Sequence, residues 1–356
     1  MLYSLSIQGY RSLLDFSLKL SPLTVVQGQN GVGKSNLYKA LRLFSALAHG
    51  NFPHIISEEG GTQSCFCAAP TPGPKRPKTI ALSLKTTAFE WDIKFGLVPT
   101  TPGDPTYFRT DPDVKKDSLR TSHAVHTRSA WSREIPHTES IFSFIRDTST
   151  YPALALARED ILSWRFYDGF RSDEDSPLRK PSPRFWSPIL HADGSNLAAV
   201  LQTIRESSFP HRLEEIIALA FPEHSLDISC DIPSQLSIEW FHPKLKRPLA
   251  AHELSDGTLR FLALTAALLA PKPPSLLIIN EPEASLNPSL FPALSRLISW
   301  AREASQVLVI THAKELANLL VEENEENEIT SQRLVLKDGT TRLEQDADAK
   351  RVWHFD

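Results

Sequence analysis

The residues with the clearest chemical potential form a glycine-rich stretch near the start of the chain. Residues 28–35 read GQNGVGKS and match the pattern GxxxxGK[ST], in which backbone N–H groups surround phosphate oxygens. A continuous apolar run at 23–27 precedes this stretch, and apolar residues recur at helical spacing after it. The pattern therefore lies between a buried strand and a helix N-terminus, where it predicts a nucleotide phosphate site.

Two side chains of this loop extend the predicted phosphate chemistry. The Lys34 ammonium is expected to reach the β- and γ-phosphates, and the Ser35 hydroxyl is expected to complete the coordination of a magnesium ion. Kinases and GTPases share such loops, so the loop alone does not fix the reaction. The residues expected to bind the nucleotide span the loop and the first helical turn: Gln29, Asn30, Gly31, Val32, Gly33, Lys34, Ser35 and Asn36.

A second anion site is predicted at the start of a later helix. Residues 254–258 read LSDGT and precede a helical apolar run at 259–269. This order places the Ser255 hydroxyl and the Gly257 amide at a helix N-terminus, where N–H groups lack partners within the helix. A simple helix cap explains the same residues equally well.

Two apolar strands end in residues suited to catalysis. Residues 275–281 read SLLIINE, so a hydrophobic strand ends in the Glu281 carboxylate, a candidate catalytic base. Residues 306–312 read QVLVITH and end in His312, where a neutral imidazole could meet a γ-phosphate. Taken singly, each strand end also has a purely structural interpretation.

The order and spacing of these four segments resemble the ABC-type ATPases, and most closely their RecF/SMC-like branch, which includes bacterial predicted ATPases of the AAA family. The specific motifs fall within residues 1–50 and 250–315, and the middle of the chain matches only loosely. The segments that carry the resemblance are the phosphate loop, LSDG at 254–257, NEPE at 280–283, TH at 311–312, GYRS at 9–12 and DGSNL at 193–197.

The resemblance implies an ATPase that uses ATP and Mg²⁺ and dimerises around the nucleotide. It implies that Glu281 polarises the attacking water, that His312 contacts the γ-phosphate and that Lys34 takes part in catalysis. Arg11 is expected near the nucleotide. One motif set per chain implies a homodimer. The segment that would close on ATP bound to the second protomer, called the signature segment below, consists of Leu254, Ser255, Asp256 and Gly257.

The sequence departs from the family pattern in two places. Asn280 stands where these families more often carry a magnesium-supporting Asp, so one negative charge is missing. The Asn280 carbonyl can still accept a hydrogen bond from a metal-bound water, and we expect weaker magnesium dependence with hydrolysis retained. The glutamine that usually links the nucleotide to the inserted lobe is not found at 139–147, where it was expected.

The resemblance and the alternation of strands and helices at 256–336 predict an α/β fold. The expected architecture is an ABC-ATPase head, meaning a P-loop NTPase with a mixed β lobe and a parallel sheet core, with a partly helical insertion. Helices within the insertion are expected at 139–146 and 152–166. The expected parts are an N-terminal ATPase lobe at 1–100, a polar insertion at 101–195 and a C-terminal ATPase lobe at 196–356.

Composition excludes several classes of protein. The chain has 356 residues, 41% hydrophobic and 22% charged, which is typical of folded proteins and unlike disordered ones. The longest apolar run, 261–270, is about half of what a membrane span needs, so no membrane partner is expected. Three cysteines are too few for a disulfide framework, which favours a cytoplasmic protein. Cys65 and Cys67 lack His or Cys partners at zinc-ligand spacing.

Two functions remain open. The first is a slow, dimerising ATPase that serves DNA repair, DNA maintenance or phage defence, stimulated by DNA or by a partner. The second is a nucleotide-gated binding module that controls an effector protein with little turnover. A transporter subunit is a minor third class. The net charge of −4 gives no basic footprint for DNA, and solvated loops explain the short basic clusters at 75–76, 115–116, 171–184 and 244–247.

Overall fold

The computed structural model describes residues 1–69, 79–98, 111–130, 135–144, 149–207, 210–324 and 328–346. The chain divides into two compact units. The first unit contains Met1–Ser21, Val26–Trp164 and Gln332–Asp356, and the second contains Pro22–Val25 and Arg165–Ser331.

The first unit is built on an antiparallel sheet and a long helix. Its strands pair in the order β2-β1-β4-β5-β6-β7. In β4 and β5, buried and partly exposed residues alternate, as expected for a sheet with one face against the core. The elements up to residue 164 are β1 (Leu2–Tyr10), β2 (Leu13–Lys19), β3 (Leu23–Gly28), α1 (Lys34–His49), α2 (Phe52–Glu58), α3 (Thr62–Cys65), β4 (Thr79–Thr86), β5 (Phe89–Leu97), β6 (Pro112–Thr121), β7 (Val125–Thr127) and α4 (Pro152–Ser163).

Aromatic packing fixes α1 on the first unit's sheet. The Trp91 ring of β5 lies 5.3 Å from the Phe44 ring of α1 and 4.5 Å from the Phe142 ring, measured between centroids. The buried Trp91 indole donates a hydrogen bond of 2.8 Å to the Asp117 carboxylate, so its polar atom is satisfied. This packing holds the helix whose N-terminus follows the phosphate loop.

The second unit contains parallel strands with helices packed around them. Strand β13 pairs in parallel with β14 on one side and with β8 on the other. The start of β3 lies beyond β14, where the Val307 amide donates to the Pro22 carbonyl at 2.8 Å. The elements are β8 (Arg165–Asp168), β9 (Ser182–Pro183), α5 (Leu197–Arg205), α6 (Pro210–Ala220), β10 (Ser225–Ser229), β11 (Gln235–Phe241), β12 (Leu249–Ala250), α7 (Asp256–Leu268), β13 (Leu276–Asn280), α8 (Phe291–Arg302), β14 (Gln306–Thr311) and α9 (Lys314–Glu323).

The sequence explains why β13 and β14 lie at the centre of this unit. All residues of both strands are buried, and their apolar runs match the pattern of parallel strands covered on both faces. Buried residues of α5, α7, α8 and α9 belong to the same apolar core. The chain ends with β15 (Ile329–Lys337), which has residues in both units, and β16 (Thr340–Leu343) in the first.

Two predictions about the middle of the chain need correction. The helix expected at 152–166 ends at Ser163, and residues 165–168 form β8 instead. Pairing with β13 overrides the helical pattern, because a buried strand needs hydrogen-bond partners on both sides. The helix expected at 139–146 is a single 3₁₀ turn at 141–144, and residues 145–148 lie outside the described residues.

The predicted insertion at 101–195 contributes to both units. Residues 112–121 form strand β6 of the first unit's sheet, and residues from 165 onward belong to the second unit. The basic pair at 75–76 falls outside the described residues, as do residues 99–110. None of the helices in the described residues has the length and apolar character required to cross a membrane.

Candidate functional site

The phosphate loop connects β3 to α1 in the first unit. Gly31 and Gly33 have φ angles of 82° and 102°, in the left-handed region that favours glycine. A Cβ atom at Gly33 would lie 2.6 Å from the Ser12 hydroxyl and closer still to the Thr341 hydroxyl. A Cβ at Gly31 would meet no atom within 4 Å. Glycine is therefore required at position 33 by both conformation and space.

The lysine predicted to bind phosphate lies within the loop. Lys34 opens α1 and is 4% exposed. Its ammonium donates hydrogen bonds to the carbonyl oxygens of Gly28 at 2.8 Å and Gln29 at 3.0 Å. The side chain folds back over the loop, so its positive charge lies beside the backbone expected to surround phosphate. The next residue, Ser35, is exposed.

A hydroxyl network fixes the back of the loop. The Ser12 and Thr341 hydroxyl oxygens lie 2.6 Å apart, and the Thr341 hydroxyl donates to the Val32 carbonyl at 2.7 Å. The side-chain amide of Asn36 donates a hydrogen bond of 2.8 Å to the Ser12 hydroxyl. The predicted ligand Asn36 is therefore tied into the support of the loop, and its contact with nucleotide stays a prediction.

Arg11 is engaged with an acidic partner in this unit. Its guanidinium forms an ion pair with Glu59, whose carboxylate also accepts from the Lys39 ammonium at 3.0 Å. The Arg11 backbone has a φ of 49°, and its amide donates to the Cys65 carbonyl at 2.8 Å. Glu59 therefore balances the Arg11 charge, and a nucleotide contact of Arg11 stays a prediction.

The two neighbouring cysteines are structural. Cys65 and Cys67 are free thiols, both buried, and burial raises the pKa of Cys65 to about 11. A thiol with a raised pKa is a poor nucleophile and a poor metal ligand at neutral pH. Across the ranges that the structure describes, no group of three or more His, Cys, Asp or Glu residues could hold a metal ion.

In the second unit the ends of β13 and β14 bring Glu281, Glu283 and His312 together. The Glu281 amide donates to the Ile310 carbonyl at 2.7 Å, with the Glu281 backbone at a φ of 50°. The His312 Nδ1 atom lies 3.8 Å from the Glu281 carboxylate and 3.0 Å from that of Glu283. The two predicted catalytic residues are therefore neighbours.

Glu283 organises the end of β14. It is 5% exposed, and its Oε1 accepts from the Thr311 hydroxyl at 2.6 Å, the His312 amide at 2.8 Å and the Ala313 amide at 3.2 Å. A carboxylate 3.0 Å from His312 Nδ1 favours the proton on that nitrogen. This arrangement leaves the opposite ring nitrogen, Nε2, as the atom suited to a ligand contact.

The end of β13 carries a second polar pair. Asn280 lies opposite Asp168 in the pairing of β13 with β8, and its Nδ2 donates to the Asp168 carboxylate at 2.8 Å. Asn280, which departs from the family pattern, therefore has the Asp168 carboxylate beside it.

The signature segment forms the N-terminus of α7. The Ser255 hydroxyl accepts from the Thr258 amide at 3.2 Å and caps the helix, as predicted. The Asp256 carboxylate pairs with Arg179 at 2.6 Å, and the same guanidinium donates to the Leu254 carbonyl at 2.9 Å. A Cβ at Gly257 would approach the Ser285 carbonyl to 3.1 Å. Arg179 thus holds the segment in place.

The predicted site residues fall into two groups. The phosphate loop, Asn36 and Arg11 belong to the first unit, and the signature segment, Asn280, Glu281 and His312 belong to the second. The sequence analysis assigned no role to Glu283, Asp168 or Arg179. The motif NEPE contains Glu283 and is a signal for it, whereas Asp168 and Arg179 acquire partners only through the fold.

Comparison with known families supports the sequence resemblance. The family model described as "AAA domain, putative AbiEii toxin, Type IV TA system" matches residues 78–318. A model described as an AAA ATPase domain matches residues 1–94. No curated protein matches the sequence.

Solved structures with a similar fold include Smc head domains. One, bound to the C-winged helix domain of ScpA, has a TM-score of 0.58 at 16% identity, over 96% of this chain and 97% of that one. A Pyrococcus furiosus Smc head with an extended coiled coil gives 0.54 at 16%, over 96% of each chain. A Pyrococcus yayanosii Smc head gives 0.55 at 13%, over 96% and 97%. The RecF/SMC-like resemblance and the α/β ABC-ATPase head fold are thereby confirmed.

Proposed function

Because the chain belongs to the AAA domain family whose model spans residues 78–318, we propose that it is an ATPase that binds ATP at residues 28–36. The observation that carries this proposal is the loop itself. Gly33 cannot be replaced without a clash, and the Lys34 ammonium lies over the loop backbone. Both features are those of a preformed anion site at a helix N-terminus.

We propose that hydrolysis uses the cluster at the ends of β13 and β14. Glu281 orients the attacking water and accepts its proton, and His312 presents Nε2 to the γ-phosphate. The Glu283 contact with Nδ1 supports this role, because a carboxylate beside Nδ1 favours the tautomer with the proton on that nitrogen. Glu283 acts through His312 and is a positioning residue.

The residues present fit a magnesium ion. The Ser35 hydroxyl is exposed at the start of α1, and the buried Asn280 Oδ1 has no hydrogen-bond partner among the described residues. Ser35 would bind the ion through its hydroxyl, and the Asn280 carbonyl can accept a hydrogen bond from a water. When bound, Mg²⁺ neutralises charge on the β- and γ-phosphates.

We propose that two copies of the chain close around ATP through the signature segment. The α7 N-terminus is an anion site in principle, but the Asp256 carboxylate in its first turn would repel a phosphate. The ion pair with Arg179 offsets that charge. This pairing supports a role of the segment in binding the triphosphate of a partner protomer.

The biological role depends on whether the partner is DNA or a protein. We propose an ATPase for DNA repair, DNA maintenance or phage defence, in the cytoplasm. Direct DNA binding receives little support, because two of the basic residues at 171–184 are paired within the protein. Arg171 pairs with Asp173, and Arg179 pairs with Asp256.

A second candidate function is a nucleotide-gated module that controls an effector protein. The family description names a putative toxin of a type IV toxin–antitoxin system, and a toxin–antitoxin system implies a partner. The Smc head structures bound to ScpA show that heads of this fold bind a protein partner.

Paired glycine variants test the nucleotide site. Gly33→Ala should weaken ATP binding by at least about 100-fold, because a strained backbone and a side-chain clash together cost about 3 kcal/mol or more. Gly31→Ala adds backbone strain alone and should weaken binding by about tenfold or less. Fluorescent ATP binding measures both, with thermal unfolding as the check on folding. Equal affinities for Gly33→Ala and the wild type would rule out this loop as the ATP site.

A further inference from the structure

The carboxyl ends of β8 and β13 place a carboxylate beside the amide of Asn280. Asp168 and Asn280 are register partners, and Asn280 Nδ2 donates to Asp168 Oδ1 at 2.8 Å. Within the described residues Asp168 forms no ion pair, and its side chain is exposed. A carboxylate accepts several hydrogen bonds, so Asp168 keeps capacity for a further partner.

The Asp168 contact fixes which way the Asn280 amide faces. A carboxylate only accepts, so Asn280 must turn its NH₂ toward Asp168 and its carbonyl oxygen away. Asn280 is 7% exposed, and its Oδ1 is buried with no hydrogen-bond partner in the part of the chain that the structure describes. A buried carbonyl without a donor is costly and marks a position for a ligand or water.

Asn280 lines a small cavity with Glu281, the predicted catalytic base. The cavity, of about 10 Å³, is also lined by Tyr167, Gly169 and Arg260, and this volume is at the lower limit of what one water molecule needs. Arg260 is the cation that faces it, and its guanidinium donates to the Ser172 hydroxyl and the Ala284 carbonyl, both at 3.2 Å. Those bonds direct the charge of Arg260 to partners outside the pair.

We propose that Asp168 and Asn280 together form the metal-supporting pair of this ATPase, with the carboxylate on β8 instead of β13. Asp168 supplies the negative charge that Asn280 lacks. Asn280, held by Asp168, directs its carbonyl at a water of the hydrated Mg²⁺ ion. This inference rests on the proposed ATPase function and names two residues that support its metal.

A charge exchange between the two positions tests the pair. Asp168→Asn removes the carboxylate and leaves amide side chains at both positions. It should lower Mn²⁺ affinity about tenfold or more. The double variant Asp168→Asn with Asn280→Asp restores one carboxylate and one amide in reversed order. It should recover Mn²⁺ affinity to within about threefold of the wild type. Asp231→Asn, at an exposed turn, is the control for loss of one charge and should change nothing.

The readout is Mn²⁺ binding by electron paramagnetic resonance, on full-length protein saturated with a non-hydrolysable ATP analogue. Nucleotide binding is measured separately in EDTA by fluorescence. If the wild type binds nucleotide and Asp168→Asn leaves Mn²⁺ affinity unchanged, the pair is not the metal support. If Asp168→Asn alone does not fold, the double variant provides the test. A Mn²⁺ affinity of the double variant more than about threefold below that of the wild type then overturns the inference. Absence of nucleotide binding by the wild type overturns the proposed function and the inference with it.

Discussion

At the scale of single residues, the ends of two buried strands define the chemistry of the second unit. Glu281 and His312 were predicted from their positions after apolar runs, and the structure places their side chains 3.8 Å apart. Glu283 connects the two strand ends, because its carboxylate on the β13 side accepts bonds from three donors on the β14 side. The geometry of His312 therefore depends on Glu283.

Substitutions of Glu283 separate its structural and positioning roles. Glu283→Ala leaves the buried Thr311 hydroxyl and the partly buried His312 N–H without their acceptor, whereas the Ala313 N–H keeps the Thr311 hydroxyl, and it should lower the free energy of unfolding by about 2–4 kcal/mol. Glu283→Gln retains an acceptor but loses the charge beside His312 Nδ1. It should fold normally, keep KM for ATP and lower kcat about tenfold or more. Urea unfolding and steady-state kinetics measure the two effects, and an unchanged kcat in folded Glu283→Gln would contradict the positioning role.

The candidate residues differ in how far the sequence could identify them. Lys34 and Ser35 belong to a motif of fixed spacing, so their residue types and sequence neighbours were sufficient to predict a phosphate site. Asp168 lies 112 residues from Asn280 in the chain, and only the pairing of β8 with β13 brings them to 2.8 Å. A contact that depends on strand order has no local signal in the sequence.

At the scale of elements, the start of α7 is held by an arginine from a distant segment. Arg179 lies in a 3₁₀ turn at Pro177–Arg179, and its guanidinium bonds the carbonyls of His252 and Leu254 and the Asp256 carboxylate. Its side chain is 13% exposed. A planar guanidinium can meet several acceptors in fixed directions, which suits it to fixing a helix terminus.

Loss of Arg179 should affect the closure of two protomers around ATP more than it affects nucleotide binding by one protomer. Arg179→Ala leaves the Asp256 charge uncompensated at the proposed contact with a partner's phosphate. We expect ATP affinity of the dilute protein within about threefold of the wild type, since the phosphate loop is unchanged, and hydrolysis reduced about tenfold or more. Fluorescent ATP binding and steady-state hydrolysis measure the two.

Arg171→Ala provides the matched control for the Arg179 variant. Arg171 belongs to the same basic stretch, but it is exposed and pairs with Asp173. We expect no change in hydrolysis, because exposed ion pairs contribute little. A loss of activity equal to that of Arg179→Ala would show that net positive charge, and not the contact with the signature segment, is what matters.

The elements themselves were predicted with uneven success, for physical reasons. Strong periodicity located α1 and α7, and continuous apolar runs located β13 and β14. The strand β8 was predicted as the end of a helix, because its four residues carry too short a pattern to identify alone. Its assignment depends on the hydrogen bonds that β13 supplies from more than 100 residues away.

At the scale of the whole molecule, the fold was predictable because the motifs occur in a fixed order. The similarity to Smc heads extends over 96% of the chain. The division into lobes and insertion stays a prediction, and β6 of the first unit lies within the segment predicted as an insertion. A strand with one face toward solvent contains many polar residues, so polar composition alone does not distinguish it from an insertion.

The two candidate functions differ in what ATP does for the molecule. In the ATPase proposal, turnover by Glu281 resets a dimer that ATP has closed. In the effector proposal, occupancy of the site is itself the signal, and hydrolysis contributes little. A variant that binds ATP without cleaving it therefore distinguishes the two at the level of biological output.

The most direct test of the central claim is steady-state ATP hydrolysis against protein concentration, with Glu281→Gln as the blank and with duplex or single-stranded DNA added in parallel. A composite site between two protomers predicts specific activity that rises with protein concentration, and a Glu281→Gln variant that binds ATP without turnover. Stimulation by DNA would add support for a role in DNA repair or maintenance. Specific activity that is independent of concentration, or hydrolysis by Glu281→Gln equal to that of the wild type, would contradict the account.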